Sequence, residues 1–223
     1  MVYVLFIIIA LVSFAVQRTL QSKFERYSKI PIPYGLTGRD IAMRMLQENG
    51  INDVFVTQVD GHLTDHYNPA THTVNLSRDV YYGNSVAAAA VAAHECGHAI
   101  QHATNYVPLN LRSAIVPVAN IGSTLSWPLF LAGLIFSIRP LLTVGIILFT
   151  FAVLFQLVTL PVEFNASSRA LKMLGSSGML GNDEVKGARK VLTAAALTYV
   201  AALASSILQL LRLIILAGGR DRD

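Results

Sequence analysis

Cysteine and charged residues are both scarce in this chain. Cys96 is the single cysteine among 223 residues, which excludes an internal disulfide framework and favours a reducing compartment for the polar part of the protein. Only 13% of the residues are charged, whereas a soluble domain usually has about 25%. No cluster of lysine and arginine is interleaved with aromatic residues, so nothing indicates a nucleic-acid partner. The chain is instead 53% hydrophobic, in long runs, and this indicates a membrane protein with a polar part.

Four apolar segments are long enough to cross a bilayer as helices. Residues 2–17 have no basic region before them and no small-residue cleavage site after them, so we interpret them as a retained anchor rather than a secretion signal. Segments 116–138 and 141–162 are separated only by an Arg-Pro pair, which predicts a helical hairpin. The fourth segment, 191–217, contains small residues that suit close helix packing.

The positions of the basic residues predict the orientation. None precedes the first span, whereas basic residues follow it directly and recur between 163 and 190; the other side would hold only Arg139, Arg220 and Arg222. The positive-inside rule therefore places both polar segments in the cytoplasm and both termini outside. We predict a multi-pass protein of a bacterial plasma membrane with five parts: an anchor (1–17), a cytoplasmic region (18–112), a transmembrane hairpin (113–162), a second cytoplasmic segment (163–190) and a C-terminal span (191–217).

The region 18–112 has a mixed pattern. A helix is predicted over 37–50, and an alanine-rich helix from Ser85 to about Thr104. Between them, β-branched runs at 54–59 and 73–77 flank a turn-rich stretch and predict a small hairpin or sheet. The second run has two interpretations: an edge strand that pairs with an extended peptide, or an ordinary buried strand.

The alanine-rich helix carries the motif AAHECGHAIQH at residues 92–102. Residues four apart lie on one helix face, so His94 and His98 can both direct imidazole nitrogens at one zinc ion. Glu95 lies about 100° around the helix, where its carboxylate can flank the metal and take a proton from bound water. His102 lies about 12 Å from His94 along a continuous helix, too far to bind the same ion. The pattern predicts a zinc site rather than scattered polar residues.

A catalytic zinc site needs a third protein ligand and leaves a fourth position for water. Glu163 is the favoured candidate, because it ends a long apolar span and the hairpin returns it to the side of the motif. The alternative is a glutamate that only marks the membrane edge. Glu25, Glu48 and Glu184 lie in loops or amphipathic stretches without comparable placement.

Three stretches of sequence carry a family resemblance. AAHECGHAIQH, with EFNASSRA further along the chain, resembles the gluzincin membrane proteases, the clan of the prenyl-protein and heat-shock integral-membrane proteases. With GHLTDHYNPATHTVNLSRDVY upstream, the chain is similar over nearly its whole length to the neutral zinc membrane metallopeptidases of the YugP type.

The resemblance implies an α+β, mainly helical integral membrane protein of about four transmembrane helices with a small zincin-like cytoplasmic catalytic portion. It implies an endopeptidase with one Zn²⁺ per chain, held by His94, His98 and Glu163, and with Glu95 as general base. The chain departs from the clan at Ser167, where an aspartate usually supports a zinc-binding histidine. Either Asn165 or another group supplies that bond, or the support is weaker.

Other residues are candidates to contact the substrate or to stabilise the oxyanion: His66, Tyr67, Asn75 and Arg169, with His62 and His72 in the same turn-rich stretch. The expected partners are a peptide or protein substrate, membrane proteins included, and the lipid bilayer. The alternative function is a proteolytically inactive zinc-binding membrane scaffold or chaperone-like protein, in which Glu95 would have no role. A zinc transporter is disfavoured, because the spans hold almost no ionisable group apart from Arg212.

Overall fold

The structure is a computed structural model that describes residues 2–218, without the side chains of residues 2–4 and 6. Residues 219–223, with Arg220 and Arg222, lie outside the described part. The elements in chain order are α1 (Val2–Tyr27), α2 (Gly38–Glu48), β1 (Phe55–Val59), β2 (His66–Asn68), β3 (Thr73–Ser77), α3 (Arg78–Tyr81), α4 (Val86–Ala103), α5 (Val107–Ile135), α6 (Arg139–Ser176) and α7 (Asn182–Gly218).

Side-chain caps determine where α2 and α4 begin. Thr37 and Asp40 form a reciprocal capping box at the start of α2, with the Thr37 backbone N–H donating to the Asp40 carboxylate at 2.9 Å. At the start of α4, the Ser85 hydroxyl accepts a bond from the Ala88 N–H at 3.2 Å. Both helices that the sequence predicts in this region are confirmed.

The sheet has three strands in the order β1-β3-β2. Its central strand, β3, pairs in parallel with β1 and antiparallel with β2. Val74 and Leu76 of β3 have no exposed surface. The predicted sheet is therefore confirmed, but the edge-strand interpretation of 73–77 is wrong, because β2 covers that side of β3. The sequence pattern did not predict β2.

Three described helices, α5, α6 and α7, are long and apolar enough to cross a membrane. The predicted anchor at 2–17 lies in α1 and includes side chains outside the described part, so it stays a prediction. Helices α5 and α6 pack against each other as a hairpin with its turn at 136–138. At 38 residues, α6 is about 57 Å long, well beyond the roughly 30 Å of a bilayer's hydrocarbon core. It can therefore cross and still extend into the layer that contains α4.

The main core surrounds α4. Most of the alanines of α4 are fully buried, and the helix packs against α2, α6, α7 and the sheet. Phe24 and Tyr27 from the end of α1 and Leu174 from the end of α6 belong to the same core. This core joins the ends of α1, α6 and α7 to α4, whose His94-Glu95-x-x-His98 pattern is the HExxH motif.

Helices α4 and α6 approach each other closely at Gly97. A Cβ atom at this position would lie 2.6 Å from the carbonyl oxygen of Ala166, a distance that real Cβ atoms essentially never show. The residues that face each other across this contact follow the helical i, i+3, i+4, i+7 spacing on both helices. They are His94, Gly97, His98 and Gln101 on α4, and Glu163, Ala166, Ser167 and Ala170 on α6.

We expect Gly97→Ala to reduce the free energy of unfolding by about 1–3 kcal/mol, because the added methyl group forces α4 and α6 apart. Gly175→Ala is the matched control: it lies near the end of α6, and a Cβ there would meet nothing within 4 Å. The control should be neutral or stabilising by up to about 1 kcal/mol, through helix propensity alone. Thermal unfolding in detergent measures the stability of both variants. Equal midpoints would contradict a close contact between α4 and α6 at Gly97.

Cys96 lies inside this core. It is 0% exposed, and its thiol points at the backbone carbonyl of Ala42, 3.6 Å away. Burial raises the pKa of the Cys96 thiol well above its usual value, with a further contribution from the nearby Glu95 carboxylate. Cys96 is thus a small residue buried in the core, with a neutral thiol.

A maleimide reagent should therefore not label Cys96 in the folded protein, and should label it fully after denaturation in SDS. The matched control is Ser176→Cys, because Ser176 is exposed at the end of α6 and should react in both states. Mass spectrometry of the intact protein measures the labelling. Rapid reaction of wild-type protein under native conditions would show that the core around α4 opens.

Candidate metal centre

Three potential ligand atoms converge where α4 crosses α6. His94 Nε2 lies 3.2 Å from His98 Nε2 and 3.2 Å from Glu163 Oε2. The distance from His98 Nε2 to the same carboxylate oxygen is 3.6 Å. Two zinc–ligand bonds of about 2.1 Å that meet at the tetrahedral angle separate their ligand atoms by about 3.4 Å. The observed distances bracket that value, so this group could hold a metal ion.

The centre is buried and favours positive charge. Glu163 is only 3% exposed and His98 8%. Burial by itself lowers the pKa of His98, but the hydrogen bond to the Glu163 carboxylate and the charges of Glu95 and Glu163 outweigh it, and the pKa is raised. The carboxylates thus stabilise a cation at this position.

Hydrogen bonds fix the orientation of both imidazole rings. His94 Nδ1 lies 3.1 Å from the Ser167 hydroxyl oxygen, and His98 Nδ1 lies 3.0 Å from the Gln101 side-chain oxygen. An imidazole whose Nε2 binds a metal carries its proton on Nδ1 and donates it to such an oxygen. Ser167 therefore supplies the contact to His94 that the sequence resemblance left open, with a neutral hydroxyl rather than a carboxylate.

Gln101 connects His98 to α6. It has no exposed surface, and its amide nitrogen donates to the Val162 carbonyl at 2.8 Å and to the Asn165 side-chain oxygen at 3.0 Å. Arg169 donates to the same Asn165 oxygen at 2.8 Å. Asn165 and Arg169 thus support His98 through Gln101, and neither has a hydrogen bond to His94 in the described part of the chain.

Glu95 lies beside the three ligand atoms, outside their group. It is 7% exposed, and one of its carboxylate oxygens accepts the backbone N–H of Tyr67 at 2.9 Å. The Tyr67 hydroxyl in turn lies 2.8 Å from His102 Nδ1. Strand β2 therefore positions Glu95, and His102 bonds to β2 rather than joining the metal group.

A cavity of about 500 Å³ opens in front of these residues. His94, Glu95, His98 and Glu163 all lie on its wall. The other elements contribute polar residues that face the same space: His66 and Tyr67 from β2, Arg112 from α5 and Tyr199 from α7. The site is thus an accessible cleft.

The remaining candidates lie away from this cavity. Asn75 is 9% exposed in the central strand and bonds the Thr57 hydroxyl at 2.7 Å. The His62 ring packs against Phe24, and His72 pairs with Asp53 at 2.9 Å.

Sequence reasoning missed three polar residues of the site: Gln101, Arg112 and Tyr199. For Gln101 the available signal was its place three residues after His98, on the same helix face. Tyr199 gave a weaker signal, as a polar side chain within a run of alanines and leucines. The Nε atom of Arg112 is buried without a hydrogen-bond partner, and its guanidinium lies over the Phe155 ring.

Comparisons with known proteins identify the family of the chain. The profile of the family described as "Putative neutral zinc metallopeptidase" matches residues 2–218. The chain is 49% identical over 225 residues to "Putative membrane protease YugP" of Bacillus subtilis (strain 168), and the alignment covers 100% of both proteins. No solved structure matches the chain.

Ser167→Ala should weaken zinc binding about tenfold, because His94 loses the partner of its Nδ1 proton. Gln101→Ala should have a larger effect, since it also removes two bonds to α6. Ser168→Ala is the matched control, an exposed hydroxyl one residue along the same helix. Titration against a chelator of known zinc affinity measures the zinc affinity of all three variants. Equal affinities for the Ser167 and Ser168 variants would contradict the orienting role of Ser167.

Proposed function

The chain belongs to the neutral zinc metallopeptidase family, and from that premise we propose that it is an integral-membrane, zinc-dependent endopeptidase. In this proposal one Zn²⁺ per chain is held by His94, His98 and Glu163, and Glu95 is the general base. The observation that carries it is the separation of 3.2–3.6 Å among the ligand atoms of His94, His98 and Glu163, beside a second buried carboxylate, Glu95, that is not one of the ligands. The residues of the centre match the preference of zinc for imidazole nitrogen and carboxylate oxygen.

In the proposed reaction, the zinc ion and the residues of the chain have separate roles. Zinc held by His94, His98 and Glu163 would supply Lewis-acid chemistry, lowering the pKa of a water molecule so that its deprotonated form could attack a peptide carbonyl at neutral pH. Glu95 accepts the proton of the attacking water and passes it to the leaving amine. The Tyr67 N–H holds one oxygen of Glu95, which leaves the other for this proton transfer.

In this proposal, other residues of the cavity bind the peptide. His66, Tyr67, Arg112 and Tyr199 line the cavity and can contact a substrate carbonyl or stabilise the oxyanion. Asn75 and Arg169 lie behind this surface and act through His66 and Gln101: Asn75 is 3.3 Å from His66 Nε2, and Arg169 reaches Gln101 through Asn165. Their contribution would be positional.

We place the site on the cytoplasmic face of the plasma membrane. Phe24 and Tyr27 of α1 pack in the same core as α4, so the basic residues around them lie on the side of the metal centre. The positive-inside rule then assigns that side to the cytoplasm. Substrates reach the cleft as soluble peptides or as juxtamembrane segments of membrane proteins.

The geometry also bears on the inactive-scaffold alternative. Structural zinc sites almost always have four protein ligands, whereas three residues form the potential ligand group among the described residues. An open fourth position and the adjacent Glu95 carboxylate both favour hydrolysis. A scaffold would have no use for either.

Glu95→Gln should keep full zinc occupancy and reduce cleavage of an unstructured protein such as casein at least about 100-fold, because the proton acceptor is lost. Glu163→Ala should lose zinc, and Glu184→Gln, at the start of α7, is the control expected to keep both zinc and activity. Metal analysis and a peptidase assay on detergent-purified protein measure these effects. A zinc-loaded wild type with no peptidase activity would favour the scaffold, and equal cleavage by wild type and Glu95→Gln would remove the general-base role.

A further inference from the structure

A second, smaller cavity of about 140 Å³ lies next to the metal centre. Asp65, His94, Glu95 and Tyr199 line both this cavity and the large one. A peptide in the large cleft therefore has a space beside Glu95 that a side chain near the scissile bond can enter.

The wall of this small cavity is mainly apolar. Helix α1, the loop after β1 and helices α4 and α7 all contribute to it. The apolar residues include Leu20, Phe24, Leu63, Val91, Leu192 and Ala195. Two of them are deeply buried, Phe24 at 5% and Leu192 at 2% exposure, whereas Leu63 is 40% exposed. The space thus has a fixed apolar lining and borders solvent near Leu63.

Three of the polar residues that line the small cavity, Asp65, His94 and Glu95, already have partners. The Asp65 carboxylate accepts the Ser77 backbone N–H at 2.7 Å and the Ser77 hydroxyl at 3.0 Å. Burial raises the pKa of Asp65, although the bonds from Ser77 oppose this. Glu95 accepts the Tyr67 N–H, and His94 faces the metal group. No described residue offers a free positive charge in this cavity, so it is poorly suited to an acidic side chain.

The volume sets the size of the group that fits. A cavity of about 150 Å³ lined by leucine, isoleucine and phenylalanine is known to stay dry and to bind benzene. The small cavity is of this size, so it accommodates a leucine or phenylalanine side chain. An alanine would leave most of the space empty, and a charged side chain would lose its hydration without a partner.

We infer that this cavity is a specificity pocket that receives a bulky apolar side chain, leucine or phenylalanine, from a residue flanking the scissile bond. The inference rests on the proposed peptidase function and names its substrate class. It also gives α1 a role beyond anchoring, because Leu20 and Phe24 form part of the pocket.

The first test maps the cleavage sites of wild-type protein in detergent on unfolded casein by mass spectrometry. A peptide from the best site is then resynthesised with Leu, Phe, Ala or Asp at each position beside the scissile bond. At one of these positions, Leu and Phe should give kcat/KM values at least about tenfold above Ala. Cleavage with no such preference would overturn the inference and leave the proposed function intact.

The second test changes the pocket. Ala195→Leu fills it and should reduce kcat/KM for the Leu and Phe peptides about tenfold while the Ala peptide is cleaved as before. Ala204→Leu, the same substitution at an exposed position of α7, should change nothing. Leu20→Ala enlarges the pocket and should shift the preference from Leu towards Phe and Trp, so the inference remains testable if the filled variant does not fold. Unchanged preferences in both pocket variants would overturn it.

A binding measurement separates this inference from catalysis. In the zinc-loaded Glu95→Gln protein, the Leu peptide should bind about tenfold more tightly than the Ala peptide by fluorescence anisotropy, and Ala195→Leu should abolish that difference. If the wild-type protein holds zinc but cleaves no peptide, the proposed function fails. The difference in binding between the Leu and Ala peptides still tests whether the pocket selects a bulky apolar side chain. Equal binding of the two peptides would refute it.

Discussion

The close crossing of α4 and α6 is the contact on which the candidate site depends. Two histidines on one helix cannot complete a catalytic zinc site, so a carboxylate must come within about 3.4 Å of their nitrogens from another element. Any side chain at Gly97 would keep α6 too far away. With glycine there, Glu163 reaches the histidines, Ser167 reaches His94 and Gln101 reaches the backbone of α6. One missing methyl group thus permits both the ligand set and the bonds that orient it.

Local sequence patterns were sufficient to predict the secondary structure of some parts of the molecule. Helix periodicity and capping residues are local, so the positions of α2, α4 and the HExxH face could be predicted from sequence. The place of β3 in the sheet could not, because strand order depends on long-range pairing. Strand β2 has only three residues and no alternating pattern, although it supplies the N–H that binds Glu95.

Some residues of the site could likewise be predicted from the sequence, and others could not. Glu163 could be singled out because a carboxylate after a long apolar run is rare in this chain. Arg112 and Tyr199 could not be predicted as site residues, since nothing local indicates which faces of α5 and α7 turn towards α4. The resemblance marked the position of Ser167, but it could not show whether Ser167, Asn165 or another group bonds His94. Tertiary packing decides all three.

The distance along the chain between the histidines and Glu163 has a consequence for biosynthesis. Translation produces His94 and His98 before the α5–α6 hairpin, and Glu163 only after most of α6. A nascent chain that ends before α6 therefore has two of the three metal ligands, and a completed chain that fails to insert the hairpin has no closed crossing to hold Glu163 against the histidines. If the enzyme acts as proposed, its activity first arises when membrane insertion is complete. The bilayer would then act as a safeguard that keeps unassembled copies from degrading cytoplasmic proteins.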